Sequence, residues 1–178
     1  MKNFFAFCLL LSVLAACKKE VKDLPPATQT GANTFGAKVD GALWVPQGFG
    51  SIPASNILES QLFSNGNLRI RARNFSSSPN ETEFDMLVAG ITGPGVYMLN
   101  NNVSYPSLLA SFGYYVKRKL TPEDEWLTSA TTTGSVTITR FDPANRIVSG
   151  TFEFNAASIY TPSKILAVTE GRFDLTIP

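Results

Sequence analysis

Residues 135–156 read SVTITRFDPANRIVSGTFEFNA. Two alternating runs flank the loop Asp142-Pro143-Ala144-Asn145-Arg146. Pairing Phe141 with Ile147 across it puts Val136, Ile138, Val148, Gly150, Phe152 and Phe154 on one face. Thr137, Thr139, Ser149, Thr151 and Glu153 fall on the other, with Phe141 as the exception. Alternation with one apolar face marks antiparallel strands packed on a core from one side. A slip of one residue would set apolar against polar, so the five-residue loop is favoured. The stretch predicts a β-hairpin, and the rest of the chain follows the same pattern.

Residues 164–177 alternate along their whole length. Ile165, Ala167, Gly171, Phe173, Leu175 and Ile177 oppose Glu170, Arg172, Asp174 and Thr176, with Gly171 as the candidate bulge. Nearer the start, Phe35, Ala37 and Val39 alternate with polar or small residues before Asp40-Gly41, a two-residue turn signal. That turn places Val39 opposite Ala42 and Ala37 opposite Trp44, which makes Trp44 a core anchor beside a small alanine. Pro46, lacking an N–H, ends the strand. Asn65-Gly66 signals a second hairpin. There Arg69, Arg71 and Arg73 line one face, Leu68, Ile70 and Ala72 the other, and Leu58, Ser60 and Leu62 are expected on the arginine face.

Residues 84–91 (FDMLVAGI) are apolar on both faces, as in a central strand. Residues 110–120 form a long strand with Phe112, Tyr114 and Val116 on one side and Tyr115, Lys117 and Lys119 on the other. Thr121-Pro122-Glu123-Asp124 carries helix-start signals, with room for about two turns. The expectation is an all-β antiparallel protein of about ten strands with at most one short helix. Sandwich and partly closed barrel both remain open.

The chain has 178 residues, a length that suits one compact domain. With 15 Lys+Arg against 14 Asp+Glu, no large field of one sign exists to drive nucleic-acid binding. The absence of histidine removes the Ser-His-Asp triad, the Cys-His dyad and every His-ligated metal site. No phosphate-loop, dinucleotide, zincin, CxxC, nucleophile-elbow or EF-hand pattern occurs, so neither cofactor nor metal is expected.

The N-terminus reads MKNFFAFCLLLSVLAAC. Lys2 precedes an apolar run over residues 4–16, too short for a bilayer core of roughly 30 Å and suited to a cleaved signal peptide. Leu14-Ala15-Ala16-Cys17 resembles the lipobox of bacterial lipoproteins. The resemblance implies cleavage before Cys17, acylation of its thiol and amine, and removal of Cys8 with the signal. Residues 1–16 are then the signal peptide, 17–33 the lipidated cysteine with a flexible tether, and 34–178 a single β domain. The polar tether KKEVKDLPPATQTGAN spans at most roughly 50 Å at about 3.3–3.6 Å per residue.

FGAKVDGALWVP, GSVTITRFDPANRIVSGTFEF and VTEGRFDL together resemble a group of uncharacterised Bacteroidota-type lipoproteins. The matching positions are Val39, Asp40, Gly41 and Trp44, then Gly150, Thr151, Phe152 and Phe154, then Thr169, Gly171, Phe173 and Asp174. The group implies an envelope location, in the outer membrane through the lipid anchor, and a β fold. It brings no catalytic residues.

Two sets of residues are candidates for ligand binding. Trp126, Tyr105, Tyr114, Tyr115 and Tyr160 stand among asparagines and threonines, which suits stacking and hydrogen bonding to carbohydrate. Arg69, Arg71 and Arg73 suit an anion, or a solvated face whose stems cover leucines. Glu81, Glu83 and Asp85, and the run Glu123-Asp124-Glu125, are the carboxylates a glycosidase would need, and read as solvated. The expected protein is a non-enzymatic envelope lipoprotein that binds a glycan or an envelope protein. The alternatives are a glycan hydrolase using paired carboxylates and a structural or assembly-accessory lipoprotein.

Overall fold

The computed structural model describes residues 21–48, 56–76, 80–118 and 124–178. The expected signal peptide, Cys17 and the helix-start residues 121–123 lie outside them. Eleven strands are present: β1 (Thr34–Val39), β2 (Ala42–Trp44), β3 (Leu58–Leu62), β4 (Leu68–Asn74), β5 (Glu81–Val88), β6 (Gly95–Met98), β7 (Phe112–Arg118), β8 (Glu125–Leu127), β9 (Gly134–Asp142), β10 (Ile147–Ser158) and β11 (Ile165–Thr176). No helix occurs among the described residues, and the stretch expected to turn into one continues as strand β8.

The strands form one curled antiparallel sheet, a half-barrel, in the order β2-β1-β11-β10-β8-β7-β5-β4-β3. β10 is long enough to serve two partners: its first part pairs with β9, and Ala157 and Ser158 pair with β8. β6 extends β9 on the side branch. Curling brings distant strands face to face. Phe84 of β5 lies 5.5 Å from Phe35 of β1, 4.6 Å from Trp44 of β2 and 6.1 Å from Phe152 of β10, ring centre to ring centre. These rings and the inward Leu68, Ile70, Val136, Ile138, Leu166 and Leu175 make the main core.

Val39 pairs with Ala42 and Ala37 with Trp44, as the Asp40-Gly41 turn predicts. In the β9–β10 hairpin, Val136 faces Phe152 and Ile138 faces Gly150, again as expected. At the turn itself Phe141 pairs with Val148 instead of Ile147, because the register shifts by one residue between Ser149 and Gly150. The extra residue on β9 turns Phe141 onto the core side, where it packs partly buried. The apparent exception in the alternation is thus the sign of a bulge.

Two expectations are corrected. Leu58, Ser60 and Leu62 face the core with Ala72, Ile70 and Leu68, not the arginines. Asn65-Gly66 sits inside a wider loop closed by the Phe63 N–H on the Asn67 carbonyl at 2.8 Å, which moves the register by one residue and changes every face. On β11 the bulge lies around Glu170, at φ 52°, where both neighbouring strands change register. Leu166 and Val168 therefore point inward, while Ile165 is half exposed.

Gly150 fits between β9 and the ring of Phe173. A Cβ there would lie 2.3 Å from the Thr137 carbonyl oxygen and 2.8 Å from Phe173. Gly150→Ala is expected to cost about 1–3 kcal/mol, the usual range for an overpacked site. Chemical denaturation measures it. An unchanged midpoint would show that the two strands can part at no cost.

Residues 24–33, expected as the end of a flexible tether, are docked on the domain. Residues 24–33 lie as a strap across the outer side of β1, β11 and β10. Pro25 and Leu24 cover Gly36, where a Cβ would lie 2.6 Å from the Pro25 ring. Asp174, outward on β11 yet 1% exposed, takes the strap's donors: Thr28 Oγ1 at 2.7 Å and the N–H groups of Thr30, Gly31 and Ala32 at 2.9, 2.7 and 3.1 Å. Ser149 Oγ donates to the same carboxylate from β10 at 2.7 Å. The polar composition of the strap marks it as unable to form a core, but it does not reveal an acceptor waiting for its backbone.

Candidate functional site

Alternation along β3, β4, β5 and β7 sends a second set of side chains to the outer face of the sheet. On β5, Phe84, Met86 and Val88 point into the main core, so Glu83, Asp85 and Leu87 point outward. Cross-strand pairing sets Arg71 opposite Asp85 and Arg73 opposite Glu83 on one side. On the other side it sets Asp85 opposite Tyr114. Glu59 and Gln61 of β3 stand opposite Arg71 and Arg69. Opposite charges facing each other across strands stabilise the pairing.

Asp85 is fully buried. It receives Arg69 through Nε at 2.8 Å and Nη2 at 2.5 Å, the Tyr105 hydroxyl at 3.0 Å, and Arg71 Nε at 3.4 Å. Glu83 accepts Arg118 at 2.7 Å and lies 3.4 Å from Arg73. Arg73 also donates to Glu59 at 2.9 Å and to the Asn56 carbonyl at 2.8 Å. Bidentate guanidinium–carboxylate contacts of this kind are strong and directional. No buried side-chain nitrogen or oxygen lacks a partner among the described residues.

Residues 99–111 fold over this face and close a small apolar cluster of Leu87, Phe112, Tyr114 and Val116, with Tyr105 packed against it. Tyr105 stacks on Tyr114 at 3.7 Å and meets Phe112 edge-on at 5.7 Å. Asn67 pins the loop, donating to the Leu108 carbonyl at 2.8 Å and accepting from the Gly90 N–H at 2.9 Å. Burial, then Asp85, pushes the Tyr105 phenol far up. Burial, then Glu125, does the same for Tyr114. Both hydroxyls therefore stay protonated donors at any physiological pH.

Of the aromatic candidates, Tyr105 and Tyr114 join the arginines in one network, and Tyr160 lies half exposed with its hydroxyl 3.3 Å from Glu125. Trp126 and Tyr115 do not belong to the site. They alternate to the inner face and are 8% and 2% exposed, with rings 6.1 Å apart. Burial pushes the Tyr115 phenol up to about 12. Sequence reasoning placed aromatics near irregular stretches. Strands β7 and β8 decide their side, because neighbours one residue apart face opposite ways.

Asp85 and Glu83, candidate carboxylates that the sequence reads as solvated, are instead buried, with their oxygens taken by guanidinium and phenol donors. Arg118 and Glu59 were not foreseen as members. Their signal is the cross-strand register, which the sequence left ambiguous. Among the described residues no group of three His, Cys, Asp or Glu side chains is arranged to hold a metal ion.

Within this network four guanidinium groups (Arg69, Arg71, Arg73 and Arg118) meet three carboxylates (Glu59, Glu83 and Asp85). The surplus falls on Arg71, whose one ion pair among the described residues is the 3.4 Å contact of its Nε and whose side chain is 33% exposed. Arg71 lines a shallow pocket of about 280 Å³ with Arg69, Glu59, Ser60, Gln61 and Pro178. The pocket offers fixed donors, two acceptor side chains and one incompletely neutralised cation.

The family described as a domain of unknown function, DUF6252, matches residues 32–176. No curated protein and no solved structure matches the chain.

Proposed function

We propose, from the premise that this chain belongs to the DUF6252 family, that it is a lipid-anchored protein of the bacterial cell envelope, of the Bacteroidota type. Its β domain binds an acidic glycan without catalysis. The anchor reading rests on the apolar run ending at Leu14-Ala15-Ala16-Cys17. The observation that carries the binding reading is the pocket at Arg71. Within the described network of β3, β4, β5 and β7, its guanidinium is the one held only by a 3.4 Å ion pair, and it lies beside Gln61 and Glu59. A carboxylate on a sugar ring would pair with Arg71, and the ring hydroxyls would meet the amide and carboxylate side chains.

A glycan fits better than a protein surface. The pocket's 280 Å³ lies just below the usual small-ligand range of about 300–1,000 Å³. A stable protein interface needs about 1,000 Å² or more with an apolar centre. The apolar cluster of this face is already covered by residues 99–111. The hydrolase reading loses support because Glu83 and Asp85 have guanidinium and phenol partners instead of facing a cleft.

Two measurements test the proposal. Fatty-acid labelling of the wild type, lost in Cys17→Ala, is the expected result for the anchor. An unlabelled wild type refutes it. For binding, the mature chain is screened against acidic and neutral glycans in parallel with Arg71→Ala. Arg71→Ala is expected to lose binding at least tenfold while stability changes by less than about 1 kcal/mol, since its ion pair is weak and partly exposed. Equal binding by both proteins, or retention of neutral glycans alone, refutes the pocket as the site.

A further inference from the structure

The strap carries a consequence for where the domain stands. As a free leash, residues 18–33 would let the body drift roughly 50 Å from its anchor at about 3.3–3.6 Å per residue. The chain is instead captured from Leu24 onward. Leu24 and Pro25 lie over Gly36, and Asp174 holds Thr28, Thr30, Gly31 and Ala32. Arg140 Nη1 donates to the Gln29 carbonyl from β9, and the Thr176 N–H donates to Asn33 Oδ1 at 2.9 Å. Only residues 18–23 separate Cys17 from the first captured residue, a reach of about 25 Å.

The direction of exit is also defined. Val21, Asp23 and Pro25 line one groove with Phe35, Val45 and Ile57, at the seam where the β1–β2 edge approaches the start of β3. Val21 is 43% exposed there. An anchor pulling on this segment draws the seam end of the half-barrel toward the bilayer.

We infer that the strap is a clamp that keeps the seam end of the half-barrel within about 25 Å of the lipid surface, with Asp174 as its catch. The inference rests on the acylation of Cys17 proposed above. The clamp halves the height at which the domain can float. It also gives the domain a fixed membrane-facing end and leaves the turns at the opposite end directed away from the lipid.

The test uses the full chain, processed and acylated, in vesicles of phosphatidylethanolamine and phosphatidylglycerol that carry a headgroup-linked acceptor dye. The donor dye is placed on Ala144→Cys, in the exposed β9–β10 turn at the strap end. In the mature chain this is the only free thiol once Cys17 is acylated. Energy transfer is expected to be strong with the native strap and to lose most of its value in Asp174→Asn. Six glycine and serine residues inserted after Asp23 lengthen the leash without touching the fold and are expected to reduce transfer as well. This second variant keeps the test decisive if Asp174→Asn fails to fold. Weak transfer from a vesicle-bound wild type overturns the clamp alone, as does transfer unchanged by the insertion. A wild type that does not float with the vesicles overturns the anchor, and the clamp with it.

Discussion

Trp44→Ala is expected to lower stability by about 3–5 kcal/mol, the cost found for truncating large buried aromatics. Trp44 is 6% exposed and stands at the meeting point of the two halves of the curl. Its ring meets Phe84 edge-on at 4.6 Å and Phe35 at 5.8 Å. Its indole N–H donates to Thr82 Oγ1 at 2.8 Å, so β2 is tied to β5 by both packing and a hydrogen bond. Alanine would leave a void against Phe84, the most central ring, and strip Thr82 of its donor. The expected result is a lower denaturation midpoint with an unchanged slope. A loss under about 1 kcal/mol would show that the two halves are not held by this residue.

Asp174→Asn is expected to cost about 2–6 kcal/mol and to free residues 24–33. The amide keeps one acceptor oxygen but turns its nitrogen donors toward the N–H and hydroxyl donors of the strap. At least two donors then lose their partner, each costing about 1–3 kcal/mol. Limited proteolysis is expected to cut within residues 24–33 of the variant and not of the wild type. Equal protection in both would show that the strap is held by Pro25 and Leu24 alone.

The same group sets a pH dependence. Burial by itself pushes the Asp174 carboxyl up. The hydrogen bonds from Thr28, Thr30, Ser149 and Ala32 outweigh it and hold the carboxyl well below the ordinary carboxylate range. A depressed folded value means that the stabilisation is complete above the ordinary aspartate value of about 3.9 and disappears as pH falls through the lower folded one. Strap protection measured by proteolysis or amide exchange is therefore expected to persist at pH 4 and to fail only in stronger acid. Release already between pH 6 and 5 would contradict the carboxylate as the catch.

Asp174 also illustrates what can be read without coordinates. It closes the Thr-x-Gly-x-Phe-Asp stretch of the last strand, where alternation directs it outward beside Phe173 and Leu175. An outward aspartate in a strand reads as a solvated surface group. Only the strap passing over it makes it a buried acceptor. The arginine stripe behaves alike. Its existence on one face was legible from β4 alone, whereas its neutralisation depends on Asp85 and Glu83 of the neighbouring strand and on Tyr105 from a loop. Arg71 stands out only after Arg69 and Arg73 have been matched with their partners.

The amino-acid sequence alone determined the all-β class, the turn at Asp40-Gly41 with Trp44 opposite Ala37, and the pairing of Val136 with Phe152. At Asp40-Gly41 one apolar face and a two-residue turn permit a single register, and in β9 and β10 the matching of apolar faces fixes the pairing beyond the bulge. It also removed histidine and cysteine chemistry from the domain. Tertiary structure decided the register of β3 on β4, the phase of β11, the inward side of Tyr115 and Trp126, and the docking of residues 24–33. Alternation says that neighbouring side chains point to opposite faces, but it does not say which face the curl will enclose. Bulges and loop closures shift that phase by one residue, and their hydrogen bonds come from partners distant in the chain.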